Sequence, residues 1–121
     1  MDAQVSSPVA AFIADLAEQG IHARVNGPAV VYEVVAVTGA LAGQSVSTAV
    51  SINELGGWPA APPHWIHFPA NVQFASTNTD LIDCLEGWTR HSRDIGNWSM
   101  DRPAIANWLA HVRGVLGGVS A

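Results

Sequence analysis

Three prolines fall within six residues at Trp58-Pro59-Ala60-Ala61-Pro62-Pro63, and that run constrains the chain more than any other stretch. Proline lacks a backbone donor and holds φ at about −65°, so such a run suits neither a helix interior nor a central strand. It belongs at an edge, stiff and extended. The short apolar segment His64-Trp65-Ile66-His67-Phe68 follows, then an irregular polar passage, then Leu81-Ile82-Asp83-Cys84-Leu85-Glu86-Gly87-Trp88. Cys84 is the only cysteine and stands 21 residues after Pro63. A stiff ledge, a short strand, a coil and a solitary thiol have the order of a site rather than of scaffold.

The rest of the chain supplies an α+β frame for that stretch. Ser7 as cap and Pro8 in the first turn predict a helix over Pro8–Gln19, with Val9, Phe12, Ile13 and Leu16 on one face and Gly20 as its stop. Residues 21–25 are a candidate first strand, and Asn26-Gly27-Pro28 is a turn signal. Ala29 to Val37 is nearly all apolar and rich in β-branched residues, as a well-covered strand is. After a loop from Thr38 to Gly43, Val46, Thr48, Val50 and Ile52 alternate with Ser45, Ser47, Ala49 and Ser51, the period of a half-buried strand. With residues 64–68 these segments make an antiparallel meander of three or four strands. Pro69 to Asp83 reads as mostly irregular. Asp101 and Pro103 open a last helix, with Ile105, Trp108, Leu109, Val112 and Leu116 on its buried face and Gly117-Gly118 as its end.

Length and charge narrow the functional classes. A chain of 121 residues is expected to form one domain, spanning residues 1–121. It is 49% hydrophobic and 12% charged, which argues against disorder. A net charge of −5 without a basic run argues against nucleic acid as a partner. No apolar run reaches the length of a membrane span, and the start Met1-Asp2-Ala3-Gln4 is acidic, unlike a signal peptide. One cysteine permits no internal disulfide, and together these features point to the cytoplasm. All five basic residues are arginine. The absence of lysine fits a genome that favours arginine; it also fits an enzyme that handles activated carboxyl groups and avoids modifying itself.

An aromatic residue, Pro-x-x-Pro-Pro, a short strand, about twenty residues and then Cys-Leu-acidic resembles the pattern of ubiquitin-conjugating enzymes. Trp58 stands where that family has tyrosine, Pro59, Pro62 and Pro63 match its prolines, and Cys84-Leu85-Glu86 is similar to its Cys-Leu-Asp. The family's His-Pro-Asn, whose asparagine stabilises an oxyanion, is absent; Asn78 sits near that place. In lacking it the chain is most similar to bacterial ubiquitin-conjugating-like families. The resemblance covers residues 58–88 and implies a ubiquitin-conjugating-like fold: an N-terminal helix, the meander, an irregular active-site segment and a C-terminal helix. It also implies three partners: a ubiquitin-like protein, its activating enzyme and a protein acceptor. It implies no metal or organic cofactor, since the activating partner uses the ATP.

In that reading Cys84 is the nucleophile that carries the acyl group as a thioester, a role suited to sulfur near neutral pH. The bland alternative is a buried, inert cysteine. Asp80, Asp83 and Glu86 surround the thiol with negative charge, which disfavours the thiolate and predicts a sluggish sulfur. Asn78 is a candidate oxyanion donor or an ordinary turn asparagine within Ser76-Thr77-Asn78-Thr79-Asp80. Asp83, Glu86, His91 and Asp94 are candidates to orient or deprotonate an incoming amine. His91, with Arg90 and Arg93 beside it, serves equally well as a structural or partner-facing group. Three positions apart on a strand, His64 and His67 point to opposite faces and share no metal ion. Trp58, Trp65 and Trp88 are expected to brace the thiol's loop. Two rivals remain: a non-catalytic adaptor of the same fold, and an unrelated cysteine hydrolase, which needs a histidine within reach of Cys84.

Overall fold

The structure is a computed structural model that describes residues 7–75 and 78–120. The apolar run from Ala29 forms β2 (Ala29–Val35), which pairs along its whole length with β3 (Ser45–Ser51), Val31 opposite Ala49 and Tyr32 opposite Thr48. A short strand, β1 (Arg24–Asn26), joins β2 through the turn at Gly27. The apolar segment before Pro69 forms β4 (Trp65–Pro69), beside β3. Two further strands complete the sheet, β5 (Thr79–Asp80) and β6 (Trp88–Ser92). All neighbours pair antiparallel, in the order β1-β2-β3-β4-β6-β5. The helices are α1 (Ser7–Glu18) and α2 (Ala104–Leu116). The α+β class therefore stands; the sheet has six strands among the described residues, where three or four were expected.

Strand alternation sends two sets of side chains to opposite faces of the sheet. On one face Val30, Tyr32, Val34, Val50, Ile66 and Phe68 meet Phe12 and Leu16 of α1 and Trp108, Leu109 and Val112 of α2 in the main core. Trp108 Nε1 donates to the Tyr32 hydroxyl at 2.9 Å inside it. On the other face small side chains, Ala29 and Ala49 with Val31, are covered by Leu85 and Trp88 rather than by a helix. Small residues let a loop lie close against the strands, and that loop carries Cys84.

Several expectations need correction. The proline run is not an extended edge: residues 56–60 form turns, and Ala61 N donates to Gly57 O. Trp58 is buried against Phe12, ring centroids 4.9 Å apart, and its Nε1 donates to Asp15 Oδ2. Trp98 Nε1 donates to Pro59 O. The run thus anchors α1 and the coil before α2, on the core side of the sheet. Within Pro69 to Asp83, expected as mostly irregular, Thr79 and Asp80 form strand β5, and the polar stretch from Trp88 to Ser92 is strand β6. Asp101 does not cap α2; Pro103 occupies that position, and its carbonyl accepts from Ala106 N and Asn107 N. Ser7, expected as a cap, is already helical. Part of the polar cluster at Ser76 and Thr77 lies outside the described residues. No helix among the described residues is long and apolar enough to cross a membrane.

Candidate functional site

One cross-strand row on the loop-covered face sets up the site. Register places Val31 beside Ala49, Ala49 beside His67, His67 beside Arg90, and Arg90 beside Asp80. Side chains directly opposite in neighbouring strands touch, so the polar half of this row is His67, Arg90 and Asp80. His67 is fully buried. Arg90 pairs with Asp80 through both Nε and Nη2, and its guanidinium lies 4.0 Å from the Trp65 ring centroid. Such a fork-to-carboxylate pair fixes orientation as well as charge.

Residues 81–87 return across this row. Asp83 takes a left-handed backbone, φ 58°, which aspartate tolerates better than most residues. Its Oδ2 accepts from Ser51 Oγ at 2.8 Å and Asn53 Nδ2 at 3.2 Å, tying the loop to the end of β3. Leu85 packs on the small-residue patch. Pinned at both places, the loop sets Cys84 Sγ 3.8 Å from His67 Nδ1 and 4.0 Å from the Asp80 carbonyl oxygen. The thiol is partly exposed. Leu81 and Ile82 beside it stand out into solvent.

Burial raises the thiol pKa above that of a free cysteine; Arg90 opposes the shift, and Asp80 and Asp83 add to it. A sluggish sulfur was expected from the acidic neighbours, but desolvation is the larger cause. Burial, helped by Arg90, lowers His67 to about 4. Thiol and imidazole are both neutral at rest. His67 Nε2 is buried without a hydrogen-bond partner among the described residues, so none of them orients the ring as a third group.

The remaining candidates separate. Asp83 stands next to Cys84 but serves as the loop's anchor, its carboxyl held below the usual range by Ser51 and Asn53. Asn78 is exposed just before β5, and its carbonyl accepts from Ser92 N. Glu86 and Asp94 are exposed, and Asp94 Oδ1 accepts from Gly96 N. His91 is not brought to Cys84. On β6 Arg90 faces the thiol's loop, so the next residue faces the other side, where His91 lies against Phe68 and Phe74. Trp65 and Trp88 do border the loop's face, whereas Trp58 belongs to the main core. His64 is exposed ahead of β4 and bonded to Ser92 Oγ, far in role from buried His67. No group of three or more His, Cys, Asp or Glu side chains gathers as a metal site among the described residues.

His67 is the group that reading the sequence missed as a partner of the sulfur. Its contact depends on two strand registers and a folded loop, and nothing in the residues between positions 67 and 84 encodes it locally. Comparison with protein-family models, curated proteins and solved structures gave no match.

Proposed function

We propose that the chain is a thioester carrier of the ubiquitin-conjugating type, with Cys84 as the acceptor of a ubiquitin-like protein. The observation that carries this reading is the setting of the sulfur. It sits on a pinned surface loop, partly exposed, with the apolar side chains of Leu81 and Ile82 standing into solvent beside it. A partly exposed thiol on such a loop suits a reaction in which a partner protein brings the carbonyl. The helix–meander–helix order, the Trp58–Pro63 run and Cys84-Leu85-Glu86 support the same reading by resemblance.

Two exchanges make up the reaction. Sulfur attacks the donor's thioester carbon, the carbon–sulfur bond to the donor breaks, and the donor cysteine leaves as thiolate. The Cys84 proton passes to that thiolate. An acceptor amine then attacks the new thioester, an amide forms, and Cys84 regains a proton as thiol. Neither step needs a reactive resting thiolate, which fits a pKa raised by burial.

The Cys84–His67 contact favours a second reading, a cysteine hydrolase. Against it, a histidine lowered to about 4 is a poor base for a thiol raised by burial, and Nε2 has no orienting partner. One experiment tests both. The chain is incubated with activating enzyme, ubiquitin-like protein and ATP, then run on reducing and non-reducing gels. A band that thiol reductant removes, lost in Cys84→Ser, is expected. Its absence leaves the adaptor; release of free ubiquitin-like protein from a peptide ester without the activating enzyme points to the hydrolase.

A further inference from the structure

The sheet is open along part of one edge. β1 ends at Arg24, opposite Val31, so it covers 3 of the 7 residues of β2. Ahead of Arg24 the chain turns away into the end of α1, where Ile21 N donates to Leu16 O. Between that turn and β2 lies a cavity of 530 Å³, lined by Ile21, His22, Glu33 and Val35 among others. The pairing of β2 with β3 decides which backbone groups face it. Ile52 N donates to Pro28 O and Ala36 N to Gln44 O, so every second residue from 28 to 36 turns its backbone groups toward β3. Glu33 and Val35 turn theirs the other way, toward the open edge. From Tyr32 to Val35 that edge runs for about 10 Å.

A strand edge of this kind is a template for pairing with another chain. At the other side of the sheet the edge is blunted by its shortness, since β5 has 2 residues. Glu33 is the one acid among the described lining residues, and its carboxylate leans over the sheet toward β3, where Ser45 Oγ donates to it at 2.6 Å. It therefore does not block an added strand. Val35 is 50% exposed and offers an apolar side chain. Positive charge borders the cavity: Arg24 stands at the end of β1, and Arg113, half-buried in the last turn of α2, lines the helix side. These are two of the 5 basic residues in a chain of net charge −5. Basic walls on an acidic chain favour a partner segment that carries an acid.

We propose that this edge binds an extended acidic segment of a partner protein, which adds a strand antiparallel to β2 in the line that β1 leaves. Its backbone exchanges hydrogen bonds with Glu33 and Val35. Partner residues opposite those two point to the loop-covered face, where an apolar one shields Val35. The residue between them, opposite Val34, points to the helix side, where an acid meets Arg113. The proposal is independent of the thioester reading.

The test is an NMR titration of the full chain that follows the backbone amides of Glu33 and Val35. The probe is the capped peptide acetyl-Thr-Val-Glu-Val-Thr-amide, whose glutamate falls opposite Val34. One control carries lysine in place of that glutamate. A second carries proline in place of both valines, which removes the donors that pair with the edge. Saturable shifts at Glu33 and Val35 are expected with the glutamate peptide, at concentrations of about 1 mM or below. The lysine peptide should bind about threefold or more weakly, and the proline peptide should leave both amides unmoved. Arg113→Gln should shrink the gap between the glutamate and lysine peptides; the peptide comparison on the wild type decides the matter should that variant not fold. Flat titrations, equal shifts with the proline peptide, equal affinity for the glutamate and lysine peptides, or an undiminished gap in Arg113→Gln overturn the proposal. So do shifts at Glu33 and Val35 that follow protein concentration without peptide, which assign the edge to a second copy of this chain.

Discussion

Cys84 has two properties that pull in opposite directions. It is open enough for a partner to reach, and yet its surroundings hold the proton on sulfur. A thiol activated at rest would react with any electrophile; in the proposed role this one reacts only with a carbonyl that is already activated. The loop that presents it is fixed by Asp83 to Ser51 and Asn53, and its base by Asp80 to Arg90, so access and geometry are set together. The rate of alkylation by iodoacetamide measures this directly. At pH 6 Cys84 should react more slowly than free cysteine, and its rate should rise with pH to a midpoint above the free thiol's, about 8.5. His67→Gln should move that midpoint only slightly, because the imidazole is uncharged throughout the range. Labelling ahead of free cysteine at pH 6 would mean that a thiolate–imidazolium pair forms after all.

At the level of elements, the parts legible in the sequence are those whose partner is apolar. Val9, Phe12 and Leu16 repeat at helical spacing because one face of α1 meets the core, and β3 alternates because its other face meets only a loop. β6 hides because both its faces are polar yet covered: Arg90 is sheltered by Asp80 and Trp65, His91 by Phe68 and Phe74. A strand of Trp-Thr-Arg-His-Ser has no hydrophobic period to read. The candidate site suffered more than the fold did, since Cys84 was visible as a lone thiol but His67 and Arg90 join it only through register. Trp58 to Pro63 misled for a related reason: proline reports local stiffness, not which face of the sheet the segment will brace. Loop chemistry is more predictable. Gly39 and Gly43 both have positive φ, 83° and 86°, in the loop between β2 and β3. A Cβ at Gly39 would lie 2.5 Å from Gly117 O at the end of α2, whereas one at Gly43 meets nothing within 4 Å. Both alanine variants carry backbone strain, of about 1 kcal/mol, but Gly39→Ala must also push the loop off α2 and should cost about 2 kcal/mol or more. Urea unfolding of the two proteins decides it; equal midpoints would show that the loop moves aside freely.

Across the whole molecule, burial of histidine rather than ion pairing sets the response to acid. His67 is lowered to about 4, and His91 and His111 are lowered too, each chiefly by burial, from an unfolded value of 6.5. Below 6.5 the unfolded chain therefore binds protons that the native protein refuses. The stability these groups contribute is fully present above that pH and is lost as pH falls from there toward about 4. Asp80 and Asp83 are lowered instead by Arg90 and by Ser51 and Asn53, and their contribution disappears only at still lower pH, as they protonate. Falling pH thus meets the histidines first and the loop anchors afterwards. His67 alone should remove up to about 2 kcal/mol between pH 7.5 and pH 5. Chemical unfolding at those two pH values, with the wild type beside His67→Gln, measures it: the wild type should lose clearly more stability than the variant. The same loss in both proteins would assign the acid response to other groups, and no loss in the wild type would mean that these rings take up protons within the fold. Because the thiol's loop rests on His67, protonation of that ring in the native state should also loosen Cys84, so the proposed thioester carriage should end only near pH 4, at the foot of the acid limb of stability.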